Sequence, residues 1–119
     1  MLDTEKMVDA IVKALQDKKG SRITIANLTE LEETICKYFI VCTGNSPNQV
    51  AALARNVDDE VRKAGGGHPA GIVGMQHAIW VAMDYGDVMV HVFLPEEREF
   101  YDLEHLWEDA MLTELPDEY

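Results

Sequence analysis

Residues 78–93 read AIWVAMDYGDVMVHVF, and this stretch carries the strongest structural signal in the chain. It contains two runs rich in β-branched and aromatic residues, one ending at Asp84 and the other beginning at Asp87. Such runs favour β-strands. Tyr85 and Gly86, between the runs, fit a two-residue hairpin turn. The stretch therefore predicts an antiparallel hairpin in which Asp84 lies opposite Asp87.

One face of this hairpin is predicted to belong to the hydrophobic core. Side chains alternate along strands, so the pairing divides them into two sets. The first set is aliphatic and consists of Ile79, Val81, Met83, Val88, Val90 and Val92. We expect this face to be buried.

The opposite face of the hairpin has the composition of a binding surface. Its predicted pairs are Ala78 with Phe93, Trp80 with His91, Ala82 with Met89, and Asp84 with Asp87. A solvated sheet face is normally polar, whereas Trp, Met and aromatic residues are enriched at protein interfaces. We interpret this face as a surface for self-association or for a foreign partner. The alternative is a second core, covered by helices that pack on both sides of the sheet.

The rest of the chain predicts helices and strands around the hairpin. In chain order we predict a helix over 3–19, a strand over 22–26, a strand over 38–43, a helix from 46 to the glycines 65–67, a short strand over 70–73 and a helical region over 96–111. Ser46, Pro47 and Gln49 match the start of a capped helix. The strand at 70–73 is expected to run parallel to 38–43 through a right-handed crossover. In the last helix we expect inward positions at Phe100, Leu103, Leu106 or Trp107, and Ala110.

These elements predict an α/β (α+β) fold in which helices pack on a mixed β-sheet. The chain has 119 residues, a length typical of a single domain. We expect residues 1–112 to form the domain and 113–119 to form an acidic tail.

The charge of the chain limits its partners. It has 10 Lys and Arg against 22 Asp and Glu, which gives a net charge of −12. Such a molecule repels phosphate backbones and anionic lipids, and no clustered basic patch offsets this, so we expect neither nucleic-acid nor membrane binding. The field instead favours a basic partner. The alternative is that the acidity serves only solubility.

The cysteines and the apolar runs predict a cytoplasmic protein. On one extended strand, Cys36 and Cys42 would lie roughly 20 Å apart, too far for a disulfide. No apolar run approaches the roughly 20 residues of a membrane span, and the acidic N-terminus does not resemble a signal peptide.

We predict no catalytic residue, metal or cofactor. Asp84 and Asp87 are typical of turn chemistry rather than of metal ligation. The four histidines, at 68, 77, 91 and 105, lack the spacing of a metal site. Cys42 lies in an apolar strand, where burial makes a thiol inert. The segment 44–46 before a helix is a weak phosphate-binding signal, because a capped helix looks the same.

Three blocks of the sequence together resemble one protein family. They read YFIVCTGNS at 38–46, WVAMDYGDVMVHVF at 80–93 and REFYDLEHLW at 98–107. In order and spacing they are similar to the ribosomal silencing factor family, also called the RsfS or Iojap family. The chain departs from the pattern at Lys37, where the family usually has Asp, and at Ala82 and Met83, where it has a Leu pair.

The resemblance implies a function and a site. Such proteins bind the large ribosomal subunit through its basic intersubunit-face protein, number fourteen, block joining of the small subunit and repress translation. The resemblance also implies a nucleotidyltransferase-like fold and a homodimer when the protein is free. The residues expected to bind the partner are Trp80, Ala82, Asp84, Tyr85, Gly86, Asp87, Met89 and His91.

Two other functions remain open at this point. A large-subunit assembly factor would use the same docking site. A nucleotidyltransferase would need a Gly-Ser pair at a helix start and two carboxylates in D-x-D spacing on a strand. Here Asn45 separates Gly44 from Ser46, and Asp84 and Asp87 lie three apart across a turn. We therefore expect a binding protein and not an enzyme.

Overall fold

The structure, a computed structural model, describes residues 2–30, 36–102 and 111–117. In chain order its elements are α1 (Thr4–Asp17), β1 (Ser21–Asn27), β2 (Tyr38–Thr43), α2 (Pro47–Lys63), β3 (Gly71–Val73), β4 (Trp80–Asp84), β5 (Val88–Phe93), α3 (Pro95–Tyr101) and β6 (Met111–Glu114). The strands form one six-stranded sheet in the order β3-β4-β5-β2-β1-β6.

The first two helices begin at capping side chains. The Asp3 carboxylate accepts a hydrogen bond from the backbone N–H of Lys6 at 2.8 Å. The Ser46 hydroxyl accepts one from the backbone N–H of Gln49 at 3.1 Å, and Pro47 occupies the first turn. These bonds satisfy N–H groups that a helix start otherwise leaves unpaired. The predicted helix starts are confirmed.

The sheet is mixed, as predicted. Strands β2 and β5 pair in parallel, and the other neighbours pair antiparallel. Strand β3 exists where the sequence predicts it and runs in the same direction as β2. It nevertheless lies at the edge of the sheet, where it pairs antiparallel with β4.

The hairpin forms, but its register differs from the prediction. The observed pairs are Trp80–Phe93, Val81–Val92, Ala82–His91, Met83–Val90 and Asp84–Met89. The predicted pairing of Asp84 with Asp87 is therefore wrong. Each strand residue keeps its predicted face, because a register change of two residues preserves the alternation of side chains.

The turn of the hairpin explains this register. Tyr85 donates its backbone N–H to the carbonyl of Val88 at 2.9 Å, so the two turn residues are Gly86 and Asp87. Gly86 has φ +84°, a left-handed conformation that glycine adopts without strain. The predicted Tyr85-Gly86 turn would instead place this glycine second.

The inner face of the hairpin packs against α1 and α2 in the main core. Five of the six residues predicted for this face are fully buried: Val81, Met83, Val88, Val90 and Val92. Ile79 is 44% exposed, so its predicted burial is wrong. It precedes β4, and the left-handed Ala78 (φ +54°) before it ends the strand alternation.

The C-terminal region departs most from the prediction. Helix α3 ends at Tyr101, since Asp102 adopts a left-handed conformation with φ +48°. Met111 was predicted to be helical, but it begins β6, which pairs antiparallel with β1 and continues into residues 113–114 of the expected tail. Phe100, predicted to face inward, is 81% exposed. The other inward positions, Leu103, Leu106, Trp107 and Ala110, lie outside the described residues.

A buried arginine joins α3 to the sheet. Arg98 is 1% exposed and donates hydrogen bonds to the hydroxyl groups of Thr43 and Thr24 at 3.0 and 2.9 Å. It also donates to the carbonyl of Arg22, at a bulge in β1 where Arg22 has φ +50°. These bonds replace the hydration that a buried guanidinium loses.

Candidate protein-binding site

An aromatic cluster lies on the outer face of the sheet, around Trp80. The indole N–H of Trp80 donates to Nδ1 of His91 at 3.0 Å. The Trp80 ring stacks on Phe93, with 5.0 Å between centroids, and lies 4.5 Å from the centroid of Tyr101 on α3. Trp80 is half-buried, so part of its surface stays available to a partner.

His91 supports this cluster from within the sheet. It is 6% exposed, and burial lowers its pKa from 6.5 to about 4, so the ring is neutral at pH 7. Because Nδ1 accepts the Trp80 N–H, the ring proton lies on Nε2. That Nε2 is buried and has no hydrogen-bond partner in the described part of the chain.

Part of the outer face is a second, smaller core. Half-buried Met89 packs against the buried residues Ala26, Leu28, Cys36 and Phe39. His91 and Phe93 are also buried, whereas Trp80 and Ala82 are half-buried. The alternative interpretation, a second core, therefore holds for part of this face. The rest is partly exposed, and its role as a binding surface stays a prediction.

The acidic hairpin tip is held by internal hydrogen bonds. The Asp84 carboxylate accepts the backbone N–H of Gly86 at 2.8 Å, which fixes the turn. The Asp87 carboxylate accepts the Thr4 hydroxyl at 2.9 Å and lies 3.8 Å from Nζ of Lys37. Gly86 and Asp87 are nevertheless exposed.

Tyr85 lies on the other side of the sheet from Trp80. Its ring packs against the main core, and its hydroxyl is buried without a hydrogen-bond partner. Burial, together with the nearby Asp58 carboxylate, raises the pKa of the Tyr85 hydroxyl. The eight residues assigned from the sequence therefore do not form one continuous surface, because Tyr85 is separated from the aromatic cluster.

The sequence interpretation missed Tyr101 as a member of the site. We expected the neighbouring Phe100 to face inward, and Tyr101 was not placed on either face. In the structure Tyr101 contacts the rings of Trp80, Phe93 and Phe100. Helical periodicity gives no reliable face in α3, because the helix has only seven residues.

The described residues offer little that resembles a catalytic centre. Ranges 2–30, 36–102 and 111–117 contain no group of three or more His, Cys, Asp or Glu that could hold a metal ion. At the start of α2, the backbone N–H of Asn45 is bound by the side chain of Gln49 at 2.6 Å, as in an ordinary capped helix. Cys36 and Cys42 are free and buried, and burial raises the pKa of Cys42 to about 12.

None of the helices in the described part of the chain has the length and apolar character needed to cross a lipid bilayer.

The fold and the site define a small α/β domain with an aromatic, partly exposed sheet face. Proteins of this class are suited to binding a macromolecule.

Comparisons with known proteins agree with this class. The family described as "Ribosomal silencing factor during starvation" matches residues 2–118. The chain is 39% identical to the ribosomal silencing factor RsfS of Bacillus subtilis, over 93% of each chain. It is 36% identical to that of Halalkalibacterium halodurans, over 96% of each. A crystal structure of a Chromobacterium violaceum protein superposes with a TM-score of 0.84 at 36% identity, covering 90% of this chain and 88% of that one.

The chain belongs to the ribosomal silencing factor family. The resemblance noted in the sequence is confirmed. Members of this family are ribosome-associated regulatory factors and not enzymes, which excludes the nucleotidyltransferase alternative.

Proposed function

We propose that the protein binds the large ribosomal subunit through its basic intersubunit-face protein, number fourteen, blocks joining of the small subunit and so represses translation. The observation that carries the proposal is the aromatic cluster on the outer sheet face. Trp80 is half-buried and is held by the His91 hydrogen bond and by contacts with Phe93 and Tyr101. A rigid, half-exposed tryptophan is the kind of residue that dominates binding energy at protein interfaces.

The charge of the molecule supports a protein partner rather than RNA. A net charge of −12 attracts a basic ribosomal protein and repels the phosphates of the surrounding RNA. Exposed Asp87 at the hairpin tip adds negative charge close to the sheet. Inhibition then needs only steric overlap with the small subunit. This function belongs in the cytoplasm, where the ribosomes work.

Co-sedimentation tests the proposal directly. The purified protein is mixed with isolated large subunits, small subunits are added, and the mixture is separated on a gradient. We expect the protein to travel with the large subunit and to lower the fraction of joined ribosomes. A protein that stays at the top of the gradient would overturn the proposal.

A deletion strain separates silencing from large-subunit assembly. An assembly factor binds the same site, but its loss leaves immature large subunits. We expect a deletion strain grown in rich medium to contain mature large subunits. An accumulation of immature ones would favour the assembly function instead.

We also propose that the free protein is a homodimer that pairs through the outer edge of β3. Ile72 and Val73 on this strand are 40% and 72% exposed. Residues 64–83 contain no Asp, Glu, Lys or Arg, so this edge repels a second acidic copy least. An unprotected edge strand is a template for pairing with another chain.

Sedimentation equilibrium tests this dimer. Val73→Lys should give a monomer, whereas Met111→Lys on the opposite edge of the sheet should stay dimeric. A dimeric Val73→Lys variant would contradict the assignment.

A further inference from the structure

A groove lies beside the aromatic cluster, at the surface of α3. It has a volume of about 340 Å³. The described residues that line it are Ile79, Glu96, Glu97, Phe100 and Tyr101. Two carboxylates therefore meet three apolar or aromatic side chains in one concave surface.

The apolar part of this groove is unusually exposed. Phe100 is 81% exposed, Tyr101 is 45% exposed and Ile79 is 44% exposed. The rings of Phe100 and Tyr101 meet edge to face, with centroids 5.1 Å apart. Adjacent exposed apolar side chains of this size mark interaction sites on soluble proteins.

The groove is continuous with the Trp80 cluster. Tyr101 lines the groove and also contacts the Trp80 ring, with 4.5 Å between centroids. A partner seated on Trp80 therefore reaches the groove without leaving the surface of the protein.

One oxygen of the Glu97 carboxylate, Oε2, is buried and has no hydrogen-bond partner among the residues that the structure describes. A buried carboxylate oxygen without a donor is costly, and such an atom in a native structure calls for an explanation. If the Glu97 side chain turns so that this oxygen faces the groove, a cationic donor supplied by another molecule removes this cost.

We propose that the groove receives an arginine side chain of the basic partner. The guanidinium pairs with the carboxylates of Glu96 and Glu97, and the arginine stem and plane rest against Ile79, Phe100 and Tyr101. This inference rests on the proposed function and adds the chemistry by which the same face recognises its partner.

Arginine fits this groove better than lysine for two reasons. Its planar guanidinium stacks on aromatic rings and donates two parallel hydrogen bonds to a carboxylate. It is also less strongly hydrated than an ammonium group, so it enters a partly apolar groove at a lower cost.

Substitutions in the groove test the proposal in the co-sedimentation assay. We expect Glu97→Gln to weaken binding to large subunits about tenfold, because it removes a charge-assisted hydrogen bond. Phe100→Ala should weaken binding to a similar extent. Glu99→Gln, on the exposed side of the same helix, is the matched control and should stay within about twofold of the wild type. If Glu97→Gln and Phe100→Ala both bind like the wild type while Trp80→Ala does not, the groove proposal fails and the proposed function stands.

A second measurement does not depend on the ribosome. The protein is titrated with acetyl-Gly-Arg-Gly-amide and with its lysine counterpart while the ring resonances of Phe100 and Tyr101 are followed by NMR. We expect the arginine peptide to shift these resonances more, and Glu97→Gln to abolish the difference. Equal responses to the two peptides, or none, would overturn the proposal even if wild-type protein failed to bind subunits.

Discussion

Trp80 on β4 donates its indole N–H to Nδ1 of His91 on β5 at 3.0 Å, although its backbone partner on that strand is Phe93. The bond therefore runs diagonally across the outer face of the sheet. It joins the half-buried ring of Trp80 to the buried ring of His91, and so fixes the orientation of the partly exposed tryptophan. A side chain already fixed in its bound position loses little conformational freedom when a partner binds.

Trp80→Ala is predicted to weaken binding to the large subunit by about 2 kcal/mol or more, the range of an interface hot spot. Trp80→Phe should have an intermediate effect, because it keeps an aromatic ring and loses the hydrogen bond to His91. Titration of labelled protein against isolated subunits measures both effects. His77→Ala, at an exposed position, is the control; wild-type affinity of a folded Trp80→Ala variant would contradict the site.

The stability of the protein is predicted to fall as the pH drops from about 6.5 to about 4. Burial depresses the pKa of His91 from 6.5 to about 4, so the unfolded chain binds this proton more readily than the folded one. The stability that the neutral, buried His91 contributes is complete above pH 6.5 and is lost as the pH falls towards 4. At about 1.4 kcal/mol per pKa unit, it amounts to about 3 kcal/mol.

Urea unfolding of the wild type and of His91→Gln at several pH values measures this effect. The difference between the two proteins isolates His91 from the carboxylates, which also titrate in this range. We expect the variant to lose less stability between pH 7 and pH 4.5, and His77→Gln to behave like the wild type. Identical pH profiles for all three proteins would show that His91 does not contribute.

Arg98→Met is predicted to lower the free energy of unfolding by about 1–3 kcal/mol, the cost of leaving buried polar groups without their hydrogen-bond partner. It removes the hydrogen bonds that Arg98 donates to the Arg22 carbonyl and to the hydroxyl groups of Thr24 and Thr43. Arg62→Met, at an exposed position on α2, should change stability by less than about 1 kcal/mol. Chemical denaturation compares the two variants, and equal losses would argue against the Arg98 network.

Tyr85→Phe is predicted to leave ribosome binding unchanged and to raise stability by about 1 kcal/mol. The substitution removes a buried hydroxyl that has no hydrogen-bond partner, and such a group costs about 1–3 kcal/mol. Tyr85 packs against the main core, on the side of the sheet opposite to Trp80. Weaker binding of a stably folded Tyr85→Phe variant would place the hydroxyl at the interface after all.

Much of the framework follows from local sequence signals. Ser46 caps α2 as the sequence predicts, and α1 begins where predicted, with Asp3 as its cap, since capping involves residues only three positions apart. The assignment of strand residues to the two faces of the hairpin is also correct despite the wrong register, because a shift of an even number of residues leaves every side chain on the same face. The sequence alone therefore places Trp80 and His91 on one face.

Other features depend on partners far away in the chain. Met111 was predicted to be helical, but β1, more than eighty residues earlier, supplies the neighbour that makes it part of a strand. Phe100 was placed on the wrong face and Tyr101 on neither, because a seven-residue helix shows too little periodicity to define a face. Arg98 on α3 bonds to residues of β1 and β2, and no local sequence pattern relates these three elements.

The sequence by itself determined the helix starts, the hairpin, the two faces of its strands and the family, because these depend on spacing and on residue types along the chain. Only the tertiary structure decided that Trp80 bonds to His91 and contacts Tyr101, that Tyr85 lies on the other side of the sheet, and that an acidic, aromatic groove opens beside them. The physical reason is that hydrogen bonds and ring contacts act over a few ångströms in space, between residues whose separation along the chain fixes neither distance nor direction.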